Sequence, residues 1–177
     1  MKRFIFTIVC VFAIPLFIYS QNKMYIVNDK IIEKTAIVNC PIDTVWWKWT
    51  THEGLLTFFG PDNKVNLRIG GEYEIYFLLD NPVGLRGGEG NKIISYLPNK
   101  MLSFTWNAPP QYEMVRNHEH KTWVVIEFKS VDKNKTEVKL SHLGWLDGEE
   151  WGAVYDYFDE AWGRVLEWLN QSCEAST

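Results

Sequence analysis

A long amphipathic helix pattern near the C-terminal end is the feature that most constrains the fold. From about Asp147 to Gln171, large apolar residues recur at the i, i+3, i+4, i+7 spacing of a helix without a break. They are Trp151, Val154, Tyr155, Phe158, Ala161, Trp162, Val165, Leu166 and Leu169. Each large side chain contributes about 1.5–3 kcal/mol when it is fully buried. The helix must therefore lie along a large apolar surface.

The middle of the chain alternates as antiparallel strands do, and its apolar face is the surface available to that helix. Strands are predicted over 31–38, 64–69, 72–79, 91–97, 101–106, 122–129 and 136–142. After the first strand, Cys40–Pro41 begins one short helix, and the Thr50 to Glu53 capping-box spacing begins another. This order predicts an α+β architecture, in which a curved antiparallel sheet of about seven strands wraps on the long C-terminal helix.

The N-terminal segment has the pattern of a secretory signal peptide over residues 1–20. Lys2 and Arg3 precede an uncharged apolar run, and the small Ser20 stands before Gln21. We therefore expect cleavage near Ser20–Gln21, a periplasmic or secreted protein, and a single domain over 21–177. Membrane insertion is not expected to persist after the signal is removed. A retained membrane anchor is the alternative.

Charge and motif content exclude several function classes. The chain has a formal net charge of −4 at pH 7 and no basic cluster, which argues against nucleic acid as a partner. The glycine-rich stretch 84–90 is followed by a strand, so it predicts a hairpin or bulge rather than a nucleotide-phosphate loop. His118 and His120 bracket Glu119, but four well-placed ligands are not evident, so no metal site or other cofactor is predicted.

Aromatic residues make up 15% of the chain and include nine tryptophans. Such rings either wall a ligand pocket or fill the core completely. The first alternative predicts an apolar cavity that opens near the polar, proline-containing loop 107–121, which is long enough to be mobile. The candidate lining residues are Trp49, Phe59, Tyr73, Phe77, Phe104, Trp106, Tyr155, Phe158 and Trp162.

His142 is the polar residue that the strand alternation turns inward, onto the face of Val138 and Leu140. One hypothesis is that it orients a carbonyl or hydroxyl group of a ligand, or acts as a general base near neutral pH. The alternative is a structural histidine whose ring is satisfied by a backbone carbonyl or a tyrosine.

The order of elements and six local strings resemble the START-like (SRPBCC, helix-grip) superfamily. Within it they are most similar to the branch named for the activator of heat-shock protein 90 ATPase, in its C-terminal domain. The strings occupy 45–60, 68–77, 96–106, 122–128, 136–145 and 157–169. The resemblance implies a domain that holds small hydrophobic ligands between sheet and helix, and some superfamily members cyclise or dehydrate aromatic polyketides. It also implies that the short helices cradle the end of the long helix, where Cys40 and Cys173 either form a disulfide or remain free thiols.

Three functions follow from these observations. The first is an exported domain, monomeric or homodimeric, that binds a small hydrophobic or amphipathic ligand and is not an enzyme. The second is a cyclase- or hydrolase-type enzyme that uses His142, which requires at least two convergent polar side chains in the cavity. The third is an interaction module related to chaperone activators, in which Trp47 and Trp168 lie in one exposed apolar patch.

Overall fold

The fold is α+β, as predicted, with a long C-terminal helix gripped by an antiparallel sheet. The computed structural model describes residues 25–174, so the predicted signal peptide and its cleavage point lie outside the described residues. The elements are β1 (Ile32–Val38), α1 (Ile42–Thr50), α2 (His52–Leu56), β2 (Asp62–Val65), β3 (Tyr73–Tyr76), β4 (Ile93–Leu97), β5 (Met101–Trp106), α3 (Glu113–Arg116), β6 (Thr122–Asp132), β7 (Lys135–Leu143) and α4 (Glu149–Glu174).

The predicted single sheet is divided into two. Five strands form an antiparallel sheet in the order β1-β7-β6-β5-β4, and β2 pairs with β3 separately. The two sheets meet where the Gly70 N–H donates to the Ile93 carbonyl at 2.8 Å and the Ile93 N–H donates to the Gly71 carbonyl at 2.9 Å. A Cβ atom on Gly71 would lie 2.1 Å from the Asn66 carbonyl oxygen. The glycine therefore permits the tight loop that joins β2 to β3.

The long helix covers the inner face of the larger sheet. In β7 the side chains of Thr136, Val138, Leu140 and His142 are buried, which follows the predicted alternation. The buried residues of α4 are Trp151, Val154, Phe158, Trp162, Val165, Leu166, Leu169 and Cys173. They form one stripe of the helix, so the core is a single layer between α4 and the sheet.

The two short helices pack against each other through a glycine, and their boundary differs from the prediction. Thr51, rather than Thr50, caps α2, because its hydroxyl oxygen accepts the Gly54 N–H at 3.0 Å. The Thr50 hydroxyl instead donates to the Trp46 carbonyl inside α1, at 2.7 Å. A Cβ atom on Gly54 would lie 2.3 Å from the Trp47 carbonyl oxygen, so this position requires glycine.

The loop 107–121 is more ordered than its composition predicts, because it contains α3.

The tryptophans of α1 have different environments. Trp49 is fully buried, Trp46 packs edge-on against Phe128 with ring centroids 5.8 Å apart, and Trp47 is 42% exposed. Trp47 therefore points away from the core.

A disulfide bond joins the short helices to the end of the long helix. Cys40 precedes α1, Cys173 lies in the last turn of α4, and their Cα atoms are 5.5 Å apart. Beside the bridge, the buried ammonium of Lys48 donates to the Thr57 hydroxyl at 3.0 Å and to the Ser172 carbonyl at 3.3 Å. Burial lowers the pKa of Lys48. The bridge and this lysine together fix the C-terminal end of α4 against α1.

Removing the bridge should destabilise the domain strongly. The two cysteines are 133 residues apart in sequence, so the bridge greatly restricts the unfolded chain. We expect the double variant Cys40→Ala/Cys173→Ala to lose about 4–5 kcal/mol of unfolding free energy, measured by guanidinium titration. The wild-type protein in excess reductant should approach the stability of the variant. Equal stability of oxidised wild type and variant would contradict the bridge.

Candidate functional site

An elongated groove runs along one side of α4. Its first half has a volume of about 300 Å³ and its second half about 180 Å³. Phe77, Trp106, Tyr157 and Phe158 line both halves, so the two halves are continuous. Phe77 and Tyr157 are 40% and 38% exposed, which makes them the rim of a groove that opens to solvent.

The two halves differ in their remaining walls. Backbone and loop residues complete the first half, namely Leu78, Gly87, Gly88, Asn107, Pro109, Pro110 and Gln111. Helix residues, together with one ring from the segment after α2, complete the second half: Phe59, Ala161, Trp162, Arg164, Val165 and Trp168. The groove therefore lies between α4, the end of β5 and the loop 107–121, which is the region where a cavity is expected from the sequence.

The structure brings five of the ten candidate residues into this groove: Phe59, Phe77, Trp106, Phe158 and Trp162. The others are Trp49, Tyr73, Phe104, Tyr155 and His142, which line neither half. Tyr73 stacks on Phe104 with centroids 4.2 Å apart, and its hydroxyl donates to the Trp49 carbonyl at 2.9 Å. These three residues are therefore part of the closed core rather than of a groove wall. Complete burial also raises the pKa of Tyr73.

Tyr155 lies on the other side of α4. Its hydroxyl donates to the Ile31 carbonyl at 3.2 Å, and its ring meets Trp145 edge-on with centroids 5.2 Å apart. The helical spacing correctly places Tyr155 on the apolar stripe of α4. The stripe is wide, however, and its two edges face different strands, so Tyr155 does not reach the groove.

His142 connects the sheet to the helix through both ring nitrogens. The Trp162 indole N–H donates to Nδ1 at 3.0 Å, and because indole is only a donor, Nδ1 is deprotonated. The proton therefore lies on Nε2, which donates to the Thr122 hydroxyl oxygen at 2.7 Å. That hydroxyl donates in turn to the Trp106 carbonyl at 3.1 Å. Complete burial lowers the pKa of His142 well below its usual value, so the ring is neutral.

This network assigns His142 a structural role in the core. Both nitrogens are already paired, and its ring lies between Trp145 and Phe158, with centroids 4.4 and 5.2 Å away. No nitrogen remains to accept a proton from a ligand in the groove. The alternative of a structural histidine is therefore favoured for His142. Its hydrogen-bond partners, however, are Thr122 and Trp162 rather than a backbone carbonyl or a tyrosine.

A buried ion pair supports one wall of the groove from behind. The Arg116 guanidinium lies 2.9 Å from the Glu89 carboxylate and also donates to the carbonyls of Gly84, Gly87 and Ala108. These partners belong to the stretch 84–90 and to the loop 107–121, which are the two backbone walls of the first half. Arg116 therefore holds the two walls together, a role for which no periodic pattern of residues provides a signal.

The stretch 84–90 is a compact turn around the Glu89 carboxylate. The backbone N–H groups of Gly84, Arg86 and Gly87 all donate to its two oxygens. Burial acts to raise the pKa of Glu89, but these donors and Arg116 outweigh it and lower the pKa. Gly87 has φ +147°, and a Cβ atom there would lie 2.5 Å from the Ile75 carbonyl oxygen. The hairpin or bulge predicted here therefore forms one wall of the groove.

Two further observations concern ligands. The Trp106 indole N–H is buried and has no hydrogen-bond acceptor among residues 25–174, although Trp106 lines both halves of the groove. His120 Nε2 lies 2.7 Å from the Gly144 carbonyl oxygen, and the described chain contains no group of three residues placed to hold a metal ion. In the same residues, no helix is both long and apolar enough to cross a membrane.

These features define an α+β helix-grip domain with an aromatic groove beside its long helix. The sequence profile of the family described as "Activator of Hsp90 ATPase homolog 1-like protein" matches residues 39–174. The chain therefore belongs to this family, in the START-like superfamily to which the sequence strings point. No curated protein matches the chain.

Several solved structures share the fold. Protein MLL2253 from Mesorhizobium loti has a TM-score of 0.66 at 16% identity, covering 84% of this chain and 99% of its own. The Aha1 dimer from Colwellia psychrerythraea has a TM-score of 0.59 at 18% identity, covering 82% and 96%. PFC0360w, an HSP90 activator from Plasmodium falciparum, has a TM-score of 0.59 at 18% identity, covering 77% and 91%. At these identities the likeness establishes the fold.

The His142 network predicts a pH-dependent contribution to stability. His142→Ala leaves the Trp162 N–H without an acceptor and opens a cavity, so we expect a loss of about 3–5 kcal/mol at pH 7.5. The folded-state pKa lies below the unfolded value of about 6.5, so the unfolded chain binds the proton first as pH falls. The wild type should therefore lose about 1.4 kcal/mol per pH unit below about pH 6.5 through this residue.

Urea unfolding of both proteins between pH 7.5 and 5.5 measures this effect. The stability difference between wild type and His142→Ala should narrow as the pH falls. A difference between wild type and His142→Ala that stays constant over this pH range would contradict the neutral, doubly bonded ring.

Proposed function

We propose that this domain binds a small hydrophobic or amphipathic molecule in the groove between α4 and the sheet. The observation that carries the proposal is the open groove itself, which seven aromatic side chains line along α4, the end of β5 and the segments after α2 and β3. Its two halves, of about 300 and 180 Å³, together match the lower part of the range for small-molecule sites. Membership of a helix-grip family supports the same conclusion, because the gap between sheet and helix is the place where such folds leave room for a ligand.

Four of the seven rings that line the groove are packed against one another before any ligand binds. Phe59 stacks on Trp106 with centroids 5.7 Å apart, and Phe158 stacks on Trp162 at 6.0 Å. Trp162 is also fixed by its hydrogen bond to His142. A ligand would therefore lose little binding free energy to ordering of these side chains.

The lining chemistry supports binding rather than catalysis. Among the described residues that line the groove, the polar side chains other than the indoles are Asn107, Gln111, Tyr157 and Arg164. None of these is a histidine, serine, cysteine or carboxylate, and His142 lies outside the groove. The enzyme hypothesis thus loses the general base on which it depended.

A protein-interaction role related to chaperone activators is the second candidate. Trp47 and Trp168 are 42% and 43% exposed, which is unusual for such large rings. Trp168 lies at the end of the groove, whereas Trp47 is on α1 and lines neither half. An HSP90 activator and a dimer occur among the similar structures, and we propose a monomer or homodimer for this chain.

We also propose that the domain works outside the cytoplasm. The predicted signal peptide at 1–20 and the Cys40–Cys173 bridge both suit an oxidising compartment. Expression of the full chain with a C-terminal tag, followed by fractionation and N-terminal sequencing, tests this proposal. A mature chain that begins at Gln21 in the periplasm or medium is expected, and an intact chain in the cytoplasm would contradict it.

Filling the groove should weaken the binding of a neutral apolar probe. Ala161→Trp places a large ring in the second half of the groove, and we expect about tenfold weaker binding of N-phenyl-1-naphthylamine, measured by its fluorescence. The matched control is Gly163→Ala on the same helix, where an added Cβ meets no atom within 4 Å. This control should bind as the wild type does and be slightly more stable.

Circular dichroism and the melting temperature show whether each variant is folded. Saturable binding by the wild type and the control, about tenfold weaker in Ala161→Trp, is the expected outcome. Equal binding by Ala161→Trp would remove the groove as the site, and absence of saturable binding by the wild type would contradict the proposed function.

A further inference from the structure

Arg164 is the only charged side chain among the described residues that line the groove. On this basis we propose that the ligand is an amphipathic organic acid, whose carboxylate pairs with Arg164 while its apolar body lies along Trp106 and Phe158. This inference rests on the proposed function and names the chemical class of ligand that the groove selects.

The position of Arg164 suits the charged end of such a molecule. It lies on the stripe of α4 that faces the groove, seven residues after Tyr157 and four residues before Trp168. At a rise of about 1.5 Å per residue, Arg164 lies about 10 Å along the helix from Tyr157. A carboxylate at Arg164 thus leaves about 10 Å of aromatic wall for the body of the ligand, the length of a medium-chain acyl group or a fused aromatic pair.

The guanidinium is available for a new partner. Its ion-pair partner in the structure is Glu160, one turn earlier on the same helix, at 3.8 Å with both side chains at least half exposed. An exposed pair at this distance contributes about 0–1 kcal/mol. A ligand carboxylate would meet the planar guanidinium inside the groove, where two parallel hydrogen bonds can form.

Desolvation gives the groove its preference for an anion. A ligand that covers the aromatic walls excludes water from the side of Arg164 that faces them, and this strengthens an ion pair made there. A neutral ligand of the same shape would partly desolvate the guanidinium without pairing it, which costs free energy. A cationic ligand would add direct repulsion. The remaining lining side chains are aromatic, aliphatic or neutral amides, so none of them competes for the carboxylate.

Matched ligands and matched variants test this inference. Displacement of N-phenyl-1-naphthylamine, which is uncharged, is measured with decanoate and with its methyl ester, whose chain is the same. We expect wild type to bind decanoate about tenfold more tightly than the ester at low ionic strength, with a smaller preference in high salt. Arg164→Gln should bring the two ligands to within about twofold of each other, and Arg164→Lys should retain part of the preference.

Glu160→Gln is the matched control on the same face of α4. It removes the competing carboxylate, so decanoate should bind about two- to threefold more tightly, while the ester and the probe should be unaffected. Because Arg164 and Glu160 are both exposed, all these variants should keep the wild-type melting temperature to within about 2 °C.

The outcomes separate this inference from the proposed function. If the wild type binds probe, acid and ester alike, or if Arg164→Gln keeps the full preference for the acid, the groove binds apolar ligands without selecting an anion and the inference is overturned. If the wild type binds neither the probe nor decanoate saturably, the proposed function itself is contradicted.

Discussion

The hydrogen bond from the Trp162 indole to His142 is the contact on which the arrangement of helix and sheet depends. Packing of apolar side chains alone would permit small rotations of α4, because such contacts are not directional. The indole N–H has one acceptor in the core, His142 Nδ1, and the other ring nitrogen is fixed by Thr122. The chain of bonds continues to Trp106, so it links α4 to β7, β6 and β5. It thereby sets which stripe of α4 faces the sheet and which stripe faces the groove.

The orientation of α4 about its own axis explains which side chains line the groove. The stripe beside the buried one contributes Tyr157, Ala161, Arg164 and Trp168, a mixture of apolar surface and one cation. In the first half of the groove, beyond Tyr157 and Phe158, the wall is backbone from 84–90 and from 107–121, held together by Arg116 and Glu89. A wall made of glycine and proline backbone keeps the groove open, since larger side chains on it would occupy the space. Rigid walls and a fixed helix are the conditions under which a small groove can select its ligand.

Periodicity was sufficient to predict the elements that bury continuous stripes. The long helix, the alternation of β5 to β7 and the inward direction of His142 follow from apolar spacing of period 3.6 or 2. The division of the strands into two sheets could not be predicted in this way, because the alternation of side chains along a strand does not specify which strands pair. The partners of His142 are each 20 residues from it in sequence and carry no spacing signal, so the residue was placed correctly while its role stayed open. Tyr157 and Arg164 were missed as groove residues because they lie off the buried stripe. Trp49, Tyr73 and Phe104 were predicted to line a cavity but lie deep within the core, and periodicity cannot distinguish a core position from a groove wall.

The central claim is that a ligand occupies the groove between α4 and the sheet, and the indole N–H signals of the tryptophans test it most directly. In protein labelled with ¹⁵N-tryptophan, titration with decanoate or a similar amphipathic ligand should shift the signals of Trp106, Trp162 and Trp168, which line the groove. Trp49 is an internal control, because its N–H is also buried without an acceptor in the described chain but lies outside the groove. Saturable shifts at the three groove residues with Trp49 and Trp47 unchanged are the predicted result. Shifts confined to Trp47 and Trp168, or no saturable shift at Trp106, would contradict the account.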